Sequence, residues 1–268
     1  MIPSLHWQPI LALALAAAYV ALLGATGRLR AMREEFSGAL PWLVALLAFF
    51  VVLVATVFYP TVAPGAAADV DTATLWFPSL FIGHVLLLAF LGAWWRLAQP
   101  QPLRRFLRLE AVPLVDVLFG LRVGATAWIL ALAASAIVTA LLAAVGWQPG
   151  GDGAAIEVPE LLLWLAELPL WRKLVVIAVA MTVEEFFYRA FLQPRVGWLA
   201  SSLLFALSHA GYGLPNLLAS VFVVSLAIGW AFRRSGSLVP CIVAHGVFDA
   251  VQLLIVMPLA VDHLRQIP

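Results

Sequence analysis

Charge is the scarcest property of this sequence. Of 268 residues only 11% are Asp, Glu, Lys or Arg, against 64% hydrophobic, and the mean hydropathy is +1.04. A soluble domain carries about 25% charged and about 45–50% apolar residues, so the shortage excludes an ordinary soluble fold. The net charge of +1, without any Lys/Arg run interleaved with aromatics, excludes a nucleic-acid partner. Cysteine is nearly missing as well. Cys241 alone rules out an intramolecular disulfide and a cysteine metal cluster, and its apolar surroundings make it a small core residue. No Lys or Arg precedes the first apolar run, so a cleaved signal peptide is not expected. Internal repeats, low-complexity tracts and a soluble domain are also absent from the pattern.

What the sequence has instead is a series of apolar stretches near the roughly 20 residues that cross a hydrocarbon core. They fall at about 9–26, 38–58, 75–95, 123–146, 172–192, 197–211, 214–232 and 237–258. The expected fold is therefore all-α: a polytopic integral membrane helical bundle of about eight transmembrane helices, one domain over residues 1–268. Lipid leaves backbone groups no partner outside helices and closed barrels. Arg28, Arg30 and Arg33 follow the first span, and Arg104, Arg105 and Arg108 follow the third. Arg195 and the pair Arg233-Arg234 fall in later connections of the same parity. These connections are expected in the cytoplasm, with both chain ends outside.

Residues 59–74 and 147–160, acidic and free of Lys and Arg, then lie outside. Trp94-Trp95-Arg96 is expected in the interfacial aromatic belt, and 97–110 as a short interfacial helix. Asp116 and Arg122 are expected to anchor the fourth span at the interface. Residues 161–170, with Glu167 and Pro169, form a piece too short to cross, interfacial or re-entrant. Arg172 and Lys173 fall on the external side of this count and are expected to snorkel to the interface.

Ionisable residues within the spans are distributed unevenly. The first four spans hold only His84, expected as a neutral core imidazole bonded to a backbone carbonyl or hydroxyl; His6 and His263 lie near the termini and are given no role. The later spans hold Glu184, Glu185 and Arg189, then His209, then His245 and Asp249. Each such group costs at least about 2.5–3.5 kcal/mol at mid-bilayer, so they need partners or a water-filled cavity. Glu185 and Arg189 stand at i,i+4, the spacing of a helical ion pair. His245 and Asp249 share that spacing and hence one helix face. Glu184 points about 100° away from Glu185, which leaves it the free carboxylate. At about 1.5 Å per residue Glu184 and His245 are both about 12 Å from the cytoplasmic edge, and His209 about 18 Å. The three are expected around one cavity opening towards the cytoplasm.

A carboxylate and an imidazole sharing a water molecule make a general-base pair, and a second imidazole beside an acid can donate to a developing oxyanion. That set suffices to hydrolyse an amide without a covalent intermediate; no Ser-His-Asp or Gly-x-Ser-x-Gly pattern competes. Two alternatives stay open. Glu184, His209, His245 and Asp249 are also a plausible zinc or di-metal ligand set, although His-Glu-x-x-His is absent. The polar groups could instead be interhelical hydrogen bonds of a non-catalytic binding or immunity protein.

Glu184-Glu185-Phe-Phe-Tyr-Arg189 resembles the Glu-Glu-x-x-x-Arg motif of the CAAX-protease and bacteriocin-processing (CPBP) family of intramembrane proteases, related to the Ras-converting CAAX endopeptidase. Phe205-Ala-Leu-Ser-His209 is similar to its Phe-x-x-x-His motif, and His245-Gly-Val-Phe-Asp249 to its third, His followed four later by Asn or Asp. The resemblance covers about 161–258 as a catalytic core; the spans at about 9–146 match only as generic membrane helices. It implies a glutamate-type endopeptidase, once described as a metalloprotease, that cleaves membrane-associated proteins near the C-terminus.

By that resemblance Glu184 activates water with His209, His245 and Asp249 form the oxyanion pocket, and Glu185, Arg189 and Phe205 support them. Asp249 stands where the best-known eukaryotic branch has Asn, and so could orient His245 instead. No cofactor is implied beyond the zinc alternative. The near absence of lysine beside abundant Ala, Leu, Trp and Arg points to a GC-rich bacterial source. The expected setting is then the lipid of a bacterial cytoplasmic membrane, and the expected substrate a protein with a hydrophobic tail.

Overall fold

A computed structural model describes residues 7–63, 75–109, 113–146 and 160–266. His6, Glu110 and the expected external segments at 64–74 and 147–159 lie outside the described residues. Every regular element among those described is helical. Six helices are long and apolar enough to cross a membrane: Trp7–Ala25, Ala39–Val62, Phe77–Leu97, Leu114–Ala144, Pro215–Ser235 and Val239–His263. The chain is thus an all-α, multi-pass membrane bundle.

Two of the eight expected spans behave differently, each for a physical reason. Residues 170–196 form one continuous helix, α-helical over Leu170–Glu185, π-helical over Phe186–Leu192 and α-helical again to Val196. It is long enough to cross, but its charged residues make it too polar to stand in lipid alone. The expected span at 197–211 is a helix of 11 residues, Trp198–Ser208, about 16 Å long at 1.5 Å per residue and too short for a hydrocarbon core of about 30 Å. It ends at His209, and a single 3-10 turn with Gly213 at φ 70° carries the chain to Pro215, the start of the next helix. Non-helical backbone at this depth is tolerated only where protein buries it or a polar cavity receives it.

Small residues decide which helices touch. A Cβ added at Gly120 would lie 2.8 Å from the Pro240 carbonyl oxygen, and one at Gly124 2.7 Å from that of Ala244. This Gly-x-x-x-Gly face on helix Leu114–Ala144, continued by buried Ala127 and Ala131, lets the last helix approach backbone to backbone beside His245. Gly124→Leu is expected to cost about 1–3 kcal/mol through overpacking and to lower the melting temperature in detergent. Gly92→Leu, at a position with nothing within 4 Å of the added carbon, should leave it unchanged.

The arginine-rich ends of the helices are closed by aromatic packing. Phe191 sits edge-on to Trp94 at 4.8 Å and to Phe90 at 5.0 Å, with Phe187 stacked on it at 5.8 Å. Trp94, expected in the interfacial belt, is fully buried here, and its indole N–H donates to Glu35 at 3.0 Å. Among the described residues of the expected interfacial segment at 97–110, one short helix forms after Leu97, Leu103–Phe106. Asp116 and Arg122 belong to a helix of 31 residues, about 46 Å long, whose first turns exceed the hydrocarbon thickness. At the opposite end Lys173 does not reach outwards. It is buried, with Nζ donating to the Ala166 carbonyl at 2.6 Å, so it caps helix Glu160–Glu167. Arg172 lies over the Phe77 and Trp171 rings at 5.1 and 5.2 Å.

Candidate active site

The helix at 170–196 carries both glutamates and widens into its π-turn immediately after them, a distortion common at functional sites. Neighbouring residues on a helix point about 100° apart, and the two carboxylates have different company. Glu185 is 0% exposed; its Oε2 accepts from Arg189 Nε at 3.1 Å and its Oε1 from His245 Nδ1 at 2.9 Å. Arg189, equally buried, also donates Nη2 to Ser225 Oγ at 2.9 Å and lies 5.3 Å from the Phe205 ring centre. The expected i,i+4 pair is present, and it holds His245 as well.

An ionised carboxylate can only accept, so His245 carries its hydrogen on Nδ1. Its Nε2 then faces Asp249 Oδ2 at 3.5 Å and Glu184 Oε2 at 4.0 Å. His209 is fixed in the same way: the Phe205 carbonyl, 2.9 Å away, takes its Nδ1–H and leaves the Nε2 lone pair unused. Phe205 touches both imidazoles, 4.9 Å from the His209 ring and 5.7 Å, edge-on, from that of His245. One aromatic ring therefore sets the separation of the two histidines.

Glu184 is not free. His84, from helix Phe77–Leu97, donates Nε2–H to Glu184 Oε1 at 3.2 Å, and its Nδ1 is buried without a hydrogen-bond partner. The expectation of a neutral core imidazole bonded to backbone or hydroxyl is thereby corrected. A lone ionisable group in a span is a functional candidate by default, and that was the available signal. Its partner lies 100 residues away, beyond any helical spacing rule.

Glu184, His84, His209, His245 and Asp249 line one cavity of about 230 Å³. A water molecule takes about 30 Å³ in the liquid, so several waters or a short peptide stretch would fit. The cavity's apolar walls include Leu80, Phe81, Leu162, Leu165 and Met257, all from helix ends remote from the arginine-rich connections. The cavity walls thus extend away from the arginine side and not towards it as expected, because the aromatic block around Phe191 fills that half.

Among the described residues no group of three His, Cys, Asp or Glu side chains is arranged to hold a metal ion. Glu184 instead accepts from His84, and His245 donates to Glu185. Cys241 is buried, with Sγ 3.6 Å from the Ile228 carbonyl, as a core residue should be.

No curated protein and no solved structure matches the chain. Residues 166–251, which contain Glu184, Glu185, Arg189, Phe205, His209, His245 and Asp249 but not His84, match the family model described as type II CAAX prenyl endopeptidase Rce1-like.

Proposed function

We propose that the protein is an intramembrane endopeptidase that hydrolyses a peptide bond of a membrane-associated protein, using water activated by Glu184 and His209. The observation that carries this reading is the gathering of five ionisable side chains on one cavity inside an apolar bundle. As the water oxygen bonds to the scissile carbonyl carbon, Glu184 takes one of its protons, and the carbonyl electron pair becomes the oxyanion. The unused Nε2 lone pair of His209 accepts a hydrogen bond from the O–H that the water keeps and so aims the oxygen. His245, held at Nδ1 by Glu185, presents Nε2 to the oxyanion and donates when protonated; Asp249 orients it. The C–N bond then breaks and the amine leaves with the proton from Glu184. His84 is a positioning residue in this scheme, holding one glutamate oxygen so that the other faces the cavity.

The cavity walls and the lysine-poor composition support one substrate class. A bacterial protein with a hydrophobic C-terminal tail, entering from the face opposite the arginines, fits an apolar slot that ends at a polar centre. The test uses the purified protein in liposomes with a peptide that bears such a tail and a reporter beyond the scissile bond. Reporter release is expected, undiminished after dialysis against a chelator. Added hydroxylamine should yield no hydroxamate, because water attacks directly. A hydroxamate would overturn that mechanism, and chelator-sensitive turnover would overturn its metal independence. Capture of the peptide without cleavage would favour a binding protein.

A further inference from the structure

We propose that a second concavity, on the arginine-rich face, binds the phosphate of an anionic phospholipid headgroup. Its volume is about 690 Å³, and its walls bring together Arg28, Arg105, Arg108 and Arg195 from three separate parts of the chain. Glu35 is the one carboxylate among the lining residues, and it is already engaged. Its two oxygens accept from Arg195 Nε at 2.9 Å and Nη2 at 2.6 Å, and Trp94 donates to it as well. Arg28 gives Nη1 to the Arg195 carbonyl at 2.8 Å and keeps its other donors. The side chains of Arg105 and Arg108 make no hydrogen bond or ion pair to a described residue.

Arg108 supplies the second observation. Helix Leu103–Phe106 ends in a reversed turn in which Arg108 N–H bonds the Arg105 carbonyl at 3.1 Å and Leu109 N–H the Arg104 carbonyl at 2.8 Å. This closure places a left-handed residue at the position of Arg108, φ 55°, which helices ordinarily give to glycine. Every other positive φ among the described residues falls on Gly. The backbone alone would be better served by glycine, so keeping a side chain here points to a use for the side chain, and it faces the concavity. Arginine's fork matches phosphate oxygens two at a time, and basic pockets between helices at the cytoplasmic surface suit anionic headgroups. Ala190 and Pro194 form part of the same wall, so a bound headgroup would tie the loop at 103–109 to the end of the glutamate helix.

The full-length protein in detergent is titrated with dihexanoyl phosphatidylglycerol, or with dihexanoyl phosphatidylcholine, whose trimethylammonium offsets its phosphate. Binding is read by native mass spectrometry and thermal shift. Phosphatidylglycerol is expected to bind in preference, with Arg108→Gly and Arg105→Gln each weakening it at least about tenfold, one charged hydrogen-bonding group's worth. Arg108→Gly should melt no lower than wild type without lipid, since it relieves the left-handed strain, which separates lost binding from lost folding. Inorganic phosphate as competitor sorts the sources: displacement identifies phosphate itself as the ligand, and persistence shows that the whole lipid headgroup is needed. Equal binding of the two lipids, or wild-type affinity in both variants, would overturn the proposal.

Discussion

Glu184→Gln is expected to lower the cleavage rate by about 10²–10⁴-fold, the ordinary contribution of a general base, while the protein remains folded. The substitution keeps an oxygen that can accept from His84 and removes only the basicity. Glu184 is partly exposed to the cavity and takes a single hydrogen bond, so the stability change should stay within about 1 kcal/mol. His209→Ala should fall in the same kinetic class, since the Nε2 lone pair is lost with the ring. His84→Phe should cost less, about tenfold, because Glu184 keeps its charge and loses only a charged hydrogen bond that aligns it. Initial rates of reporter release and melting curves in one detergent check all three. A Glu184→Gln enzyme with more than a tenth of wild-type turnover would sink the proposed mechanism.

Glu185→Leu should fail in the opposite way. The glutamate, its arginine partner and the attached imidazole lie in the bundle interior, with Glu185 and Arg189 0% exposed and Arg189 Nη1 already lacking a partner. Removing the carboxylate strands a guanidinium where no water reaches it. Breaking a buried pair costs about 3–5 kcal/mol, a large share of a stability of about 5–15 kcal/mol. The double variant Glu185→Leu/Arg189→Leu removes both charges and should recover most of that loss, because replacing a whole buried pair by apolar groups is often neutral. Activity should not return with it, since His245 no longer has an acceptor for Nδ1. Denaturant titration together with rate measurement separates the two effects. A double variant as unstable as the single would show that the pair does not account for the destabilisation.

How much of this was legible in the sequence depends on the range of each interaction. Glu185 with Arg189, and His245 with Asp249, follow from helical spacing, and both pairs are close in space, at 3.1 and 3.5 Å. The bond from His245 to Glu185 crosses 60 residues and that from His84 to Glu184 crosses 100; no periodicity encodes either. Hydropathy located the helices, yet it could not tell that Trp198–Ser208 stops halfway, because an apolar run looks the same whether it faces lipid or protein. The same limit hid the direction of the cavity, which depends on where Phe90, Trp94, Phe187 and Phe191 pack. Lys173 turns inwards because its acceptor, the Ala166 carbonyl, lies on the preceding helix Glu160–Glu167, across the break at Pro169 where no helical spacing rule reaches.

The seat of His245 has a consequence for the order of manufacture. A ribosome delivers the glutamates and His209 first, and the last helix, bearing His245 and Asp249, follows them into the bilayer. Until that helix docks on the Gly120–Gly124 face, Glu185 lacks its imidazole and the proposed oxyanion donor is missing. The proposed site is therefore a property of the assembled bundle, complete only once helix Val239–His263 has docked.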